Sequence, residues 1–217
     1  MSVQSPAMPG ADGRPRCPWS LGAPEFPAYH DTEWGFPVAD DRRLFEKVSL
    51  EGFQSGLSWR TILVKRPAIR EVFGEFDFHV VAEYDEGAVA RLLGDARIVR
   101  HRGKIEAVIN NARRAVDLVE ERGSLAAYFW SFEPAQEELG EPQTRTTTPT
   151  AVAMSKDLKR RGWRFVGPTT AFAFMQAMGL VNDHVPGCVT REEVARARAR
   201  FTPPRSGHQP RSRHSGR

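Results

Sequence analysis

The sequence predicts an all-α fold built from many short helices, on three observations. Apolar residues recur at helical spacing in successive segments from Asp41 onward. Cap and stop residues punctuate those segments, with Asp85 and Gly94 at the two ends of one and Gly123 and Ser124 between two others. No series of alternating strand-like segments and no internal repeat interrupts them. With 217 residues, 40% hydrophobic and 27% charged, the chain has the make-up of an ordinary soluble globular protein and can bury a core without covalent staples. We read residues 1–16 as a disordered leader, 17–202 as one unit of two helical lobes with a cleft between them, and 203–217 as a basic disordered tail.

In chain order, CPWSLGAPEFPAYHDTEWG, Cys17 to Gly35, is dense in aromatics, proline and glycine without a helical period, which predicts a fixed loop packed by its rings. A helix follows from about Asp41, in which Leu44, Val48 and Glu51 fall at i, i+4 and i+7, so the carboxylate lies on the buried stripe. Gly52 and Gly56 let the backbone leave that helix, and the turn beyond presents Leu57 and Trp59. Pro67 suits the first turn of a helix running toward Phe73, and Asp85 opens one that Gly94 closes. The longest helix runs from about Arg102 to Arg122, with Ile105, Val108 and Ala112 on its apolar side and Gly123 as its stop. Ser124 caps another through Trp130. Residues 133–150, with three prolines and the run TRTTTPT, read as a surface excursion. Helices resume over Met154 to Arg161 and Pro168 to Met178, and Thr190 with Glu193 forms a capping-box pattern for a last helix ending near Phe201.

Charge location matters more than the formal net charge of +4, because Arg205, Arg211, Arg213 and Arg217 supply all of it. The rest of the chain is neutral overall, so basic excess is a poor guide to a DNA-binding face, and the tail is either a solvated extension or a weak non-specific phosphate binder. No signal-peptide core and no apolar run of the ~20 residues needed to cross a bilayer occurs, which predicts a cytoplasmic protein with no membrane partner. In that reducing compartment Cys17 and Cys188 are expected as thiols or metal ligands rather than a disulfide.

LEGFQSGLSW, Leu50 to Trp59, offers an acid, the Gln54 amide, an apolar tip and a flat ring close together. Glu51 is either a functional acid or a helix acid bonded to Lys47 one turn back, the weaker ordering for such a pair. Trp59 is either core or a binding plate. His184 and Cys188 in NDHVPGC are spaced to reach one ion, and Cys17 and His30 complete a Cys2His2 set, a closed tetrahedral shell with no position for an activated water. Two buried thiols and two ordinary histidines are the alternative. In RGWRFVGPTTAFAF the turn at Val166, Gly167 and Pro168 exposes backbone N–H groups at a helix N-terminus, suited to a DNA phosphate. Arg100, His101, Arg102 and Lys104 form a second basic cluster, either an anion site or solvated surface.

Taken together, AYHDTEWG, LFEKVSLEGFQSGLSW, IVRHRGKIEAVINNA and FVGPTTAFAFMQAMGLVNDHVPGC resemble the 3-methyladenine DNA glycosylase I family of the helix-hairpin-helix glycosylase superfamily, over Cys17 through Cys188. The resemblance implies a two-lobed helix-hairpin-helix architecture with a zinc-clamped terminal region. It implies a monofunctional hydrolase acting on N-glycosyl bonds, which flips and excises N3-methyladenine from alkylated double-stranded DNA in base excision repair. Free 3-methyladenine would be its product, and a monomer its working form. It further implies one structural Zn2+ held by Cys17, His30, His184 and Cys188. Glu51 would be the catalytic residue, meeting the polar edge of the base together with Tyr29, while Trp59 stacks on its face and Trp19 closes the pocket. Leu57 would be the wedge that fills the gap left by the flipped nucleotide, with Gln54 on the DNA side of the pocket and Gly167 in the phosphate-binding hairpin.

Departures from the family and its superfamily stand out. Phe26 replaces a usual tyrosine, and Phe165 replaces the usual hairpin glycine. Thr169 stands where bifunctional members carry a Schiff-base lysine, so strand cleavage is not expected. Asp183 comes too early to match the superfamily's catalytic aspartate and is given no catalytic role. The same residues would also suit a non-catalytic, zinc-stapled reader of alkylated DNA. A zinc hydrolase would need an open coordination position that four protein ligands deny.

Overall fold

The computed structural model describes residues 6–205. Residues 1–5 of the expected leader and 206–217 of the expected basic tail lie outside the described residues. The described chain opens with a ribbon in which β1 (Met8–Pro9) pairs antiparallel with β2 (Pro15–Arg16). This ribbon falls within the expected leader. Arg16 fixes it, buried and donating to Asp12 at 2.7 Å and to Asp31 at 2.8 Å.

A 3-10 turn over Pro18–Leu21 leads into α1 (Phe26–Thr32), where the sequence predicted only a ring-packed loop. Pro27 presets the first turn, and seven residues are too few for a helical period to show. α2 (Asp41–Gln54), opened by an Asp40 side chain that accepts from Arg43 N–H, is buried from Leu44 to Phe53. It is the central helix, in contact with four later helices and with a 3-10 turn over Gly74–Phe76. α3 (Trp59–Val72) starts at a Ser58 cap, so Pro67 lies inside it rather than in its first turn. Pro67 is exposed, and water can take the carbonyl it leaves without a donor.

α4 (Phe78–Ala82), which the sequence reading passed over, is opened by Asp77, and α5 (Glu86–Gly94) by Asp85. α6 (Arg102–Arg122) ends on the left-handed Gly123, and Ser124 caps α7 (Leu125–Trp130), both as expected. The expected excursion contains α8 (Gln136–Leu139), and Thr148 with Pro149 starts α9 (Pro149–Arg160) well before Met154. α10 (Pro168–Ala177) packs on α9 and α2, and α11 (Val189–Arg200) starts directly after Cys188. Its start differs from the predicted capping box because Thr190 is buried, its hydroxyl facing Asp31 at 3.4 Å.

Among the described residues the fold is all-α, with eleven α-helices and one two-stranded ribbon. Among the described residues one continuous apolar cluster runs from Cys17 to Cys188. No helix among the described residues is long and apolar enough to cross a membrane.

α6 braces the elements that carry the site. Buried Lys104 donates to the carbonyls of Phe53 at 2.8 Å and Ser55 at 2.5 Å, neutralising the negative end of α2. Arg102 pairs with Glu86 and Glu106. The basic cluster read from the sequence is therefore not a free anion site, because two of its cations already have partners inside the fold. Asn110 and Asn111, also on α6, bond the backbone of Gly162 and Arg164 and hold the α9–α10 turn.

Candidate functional site

A cavity of about 290 Å³ brings Trp19, Tyr29, Glu51, Gln54 and Trp59 together. This is near the lower end of small-molecule sites, which start at roughly 300 Å³, and suits one flat ring system. Tyr29 comes from α1, Glu51 and Gln54 from consecutive turns of α2, and Trp59 from the first residue of α3. Trp19 lies edge-on to Trp34 at 5.0 Å and to Phe26 at 5.9 Å between ring centroids. Phe26 supports Trp19, and is not among the residues lining the cavity.

Glu51 is paired within its own helix and faces the cavity as well. Its carboxylate lies 2.7 Å from Lys47 Nζ one turn back, and it also lines the cavity. Lys47 donates to the Tyr29 hydroxyl at 2.7 Å and sits 3.7 Å from the centroid of the Trp59 ring. Burial pulls the pKa of the Lys47 ammonium below its usual value, and the neighbouring Glu51 charge works against that shift. For Tyr29, burial and then the Glu51 charge push the phenol well above its usual range, so it stays protonated.

Sequence reasoning missed the opposite wall. Gln143 and Arg145, from the expected surface excursion, line the cavity along with Gln176 and Asp183. The excursion is drawn inward because the Gln143 N–H donates to Asp183 Oδ1 at 3.0 Å, and no local pattern signals such a return. Asp183 accepts at its other oxygen from Gln176 Nε2 at 2.6 Å, and burial pushes its carboxyl up. With both oxygens engaged, it supports the wall.

Beside the cavity, Leu57 is 38% exposed at the tip of the turn between α2 and α3. Gly56 allows the turn with φ 75°, and the Leu57 N–H closes it on the Gln54 carbonyl at 2.7 Å. In the α9–α10 turn Phe165 holds φ 54°, a left-handed conformation that favours glycine. Ser155 bonds the Val166 carbonyl, and Gly167 begins α10 with no side-chain cap, leaving its first N–H groups to an outside acceptor.

Cys17, His30, His184 and Cys188 form a second assembly, fully within the core, with ligand atoms all within 4.8 Å of one another. His184 Nδ1 lies 3.1 Å from His30 Nε2, 3.5 Å from Cys188 Sγ and 3.6 Å from Cys17 Sγ. A tetrahedral shell with metal–sulfur bonds of about 2.3 Å and metal–nitrogen bonds of about 2.0 Å has edges of roughly 3.3 to 3.8 Å. The four residues could therefore hold one metal ion with little movement. Each histidine has its other nitrogen committed, His30 Nδ1 to Asp31 at 2.8 Å and His184 Nε2 to the Trp34 carbonyl at 3.0 Å. Gly35, at φ 89°, lets His184 approach the backbone, since a Cβ there would lie 3.0 Å from its Nε2. The Val185 N–H points at Cys17 Sγ. Contact with the Cys17 thiol and the two imidazoles pushes Cys188 far down, and contact with Cys188 together with burial pushes Cys17 up.

The methyladenine glycosylase family model matches residues 19–192. DNA-3-methyladenine glycosylase 1 of Escherichia coli (strain K12) is 47% identical over 177 residues, 80% of this chain and 95% of that protein. The DNA-3-methyladenine glycosylase of Haemophilus influenzae is 40% identical over 179 residues, again 80% of this chain and 96% of the relative. Among solved structures, a crystal structure of 3-methyladenine DNA glycosylase I aligns with a TM-score of 0.73 at 47% identity, over 80% of this chain and 98% of that one. A structure of the Staphylococcus aureus 3-methyladenine DNA glycosylase I, concerned with 3-methyladenine recognition, aligns at 0.76 with 35% identity, over 81% and 96%.

Proposed function

The chain belongs to the methyladenine glycosylase family, and on that premise we propose that it excises N3-methyladenine from alkylated DNA through the cavity between α2, α3 and α10. The observation that carries this reading is the meeting of a carboxylate, a phenol and an indole in a space that suits one base. Methylation at N3 makes the attached adenine cationic, so its glycosidic bond breaks to a neutral base and an oxocarbenium-like sugar, which water captures at C1′. The leaving group is already activated, and the protein's task is to extrude it and hold it.

Glu51 accepts from the base and stabilises the positive charge passing to the sugar. Tyr29 supplies the neighbouring polar contact, Trp59 stacks, and Trp19 closes the far side. Leu57, already exposed at a braced tip, fills the stack when the nucleotide leaves it. Gln54 lines the cavity and also closes the Leu57 turn through its carbonyl. The α9–α10 turn acts as the hairpin of a helix-hairpin-helix, and the N–H groups after Gly167 receive a phosphate. Lacking a lysine at Thr169, the hairpin supports base removal without strand cleavage.

Cys17, His30, His184 and Cys188 would hold zinc, which suits two thiolates and two imidazoles in a closed shell. Bound there, zinc would supply structure and no open position for water. The four residues tie the start of the folded chain to the segment after α10.

Release of free bases from methylated duplex DNA, separated by chromatography against 3-methyladenine and 7-methylguanine standards, tests the reading. Selective appearance of 3-methyladenine is the expected result. A folded, zinc-loaded protein that binds methylated DNA and releases nothing would be a reader of alkylated DNA.

A further inference from the structure

Lys47 is 4% exposed, and none of the roles above uses it. An ammonium has three N–H donors. Three acceptors surround this one: the Glu51 carboxylate at 2.7 Å, the Tyr29 hydroxyl oxygen at 2.7 Å, and the face of Trp59 with its centroid 3.7 Å away. The donors and acceptors match in number, and all three partners line the cavity while Lys47 stands behind them.

We propose that Lys47 is a positioning residue that fixes the donor–acceptor polarity of the cavity, and that this polarity selects adenine over guanine. The inference rests on the glycosylase reading and adds to it a device for choosing the base. Because the Tyr29 oxygen accepts from Lys47, the phenol's own proton is left to point into the cavity as a donor. Glu51 holds Lys47 through Oε1, and its carboxylate lines the cavity as an acceptor. A donor beside an acceptor complements the N7 and amino group of adenine, whereas guanine offers two acceptors, N7 and O6, on the same edge. Its O6 would face the carboxylate.

Lys47 also balances the charge of Glu51. The pocket therefore recognises its base through pattern and stacking as well as through attraction for a cation. With Lys47 removed, Tyr29 is free to turn its proton toward Glu51 and its lone pairs toward the cavity. The distinction between the two edges is then lost.

The test compares initial rates of 3-methyladenine and 3-methylguanine release from methylated duplex DNA for the unaltered protein and Lys47→Met. The preference for adenine is expected to narrow by about tenfold, the effect of one well-placed hydrogen bond. An unchanged ratio overturns the proposal, whether both rates fall together or neither does, because damage to the fold alone scales both rates. Unaltered protein that releases neither base removes the glycosylase reading and this inference with it. Release by the unaltered protein with an unchanged variant ratio removes only the inference. A second measurement needs no variant. In nitrogen-15-labelled protein, the Lys47 ammonium should give a slowly exchanging signal that shifts when 3-methyladenine is added. No such signal, or one that ignores saturating base, overturns the proposal.

Discussion

Tyr29 and His30 are neighbours on α1, yet one lines the open cavity and the other belongs to the closed Cys2His2 assembly. Asp183 and His184 repeat the division on the far side. Both assemblies are polar groups set into the same apolar core, and they differ in how much bonding capacity they leave over. Around His30 and His184 every ring nitrogen has a protein partner or faces the other ligands. Around Glu51 and Tyr29, Lys47 uses one carboxylate oxygen and one phenol lone pair, and both residues line the cavity. A saturated polar cluster specifies a fold, and an unsaturated one invites a ligand.

That contrast predicts a graded set of failures. Stripping metal from the Cys2His2 set with a chelator should have the largest effect, because a structural zinc site contributes roughly 10–16 kcal/mol, comparable with the whole stability of a domain. Loss of the cooperative melting transition, followed by circular dichroism, is the expected outcome. Retention of that transition would place the cluster outside the fold's support.

Glu51→Gln attacks the other assembly. It preserves shape and removes charge, so excision should fall by about 10²–10³ while the protein remains folded. Near-normal base release would remove Glu51 from the mechanism. Trp59→Ala comes next, with affinity for free 3-methyladenine weakened by about 1–3 kcal/mol in a calorimetric titration; unchanged affinity would show that the indole does not stack on the base. Leu57→Ala should have the smallest effect and also the most selective. Excision from duplex is expected to drop about tenfold through costlier extrusion, with free-base affinity unchanged. A matching loss of free-base affinity would place Leu57 in the pocket wall instead of the stack.

Much of the fold was open to a local reading. Asp85, Ser124 and Gly123 mark helix ends in the structure as they do in the sequence, because a cap is a contact over two or three residues. α1 and α4 are too short to carry a helical period, and α3 begins at its Ser58 cap well before Pro67, the residue that suits a first turn. Within the site, spacing placed Glu51 on a buried stripe and the family motifs pointed to Tyr29, Trp59 and Trp19. The wall formed by Gln143 and Arg145 had no such marker, since a loop's return to the core depends on a partner 40 positions away, Asp183.

By itself, the sequence determined the all-α class, most helix ends, the family and the residues that could meet one ion or one base. All of these follow from residue type and short spacing. Tertiary structure alone decided what the buried charges do. Lys104, which looked like part of an anion site, closes the end of α2, and Lys47, which looked like a simple helix partner of Glu51, also engages Tyr29 and Trp59. A charged side chain taken out of water must find its partners wherever the packing puts them, and those partners come from other elements of the chain.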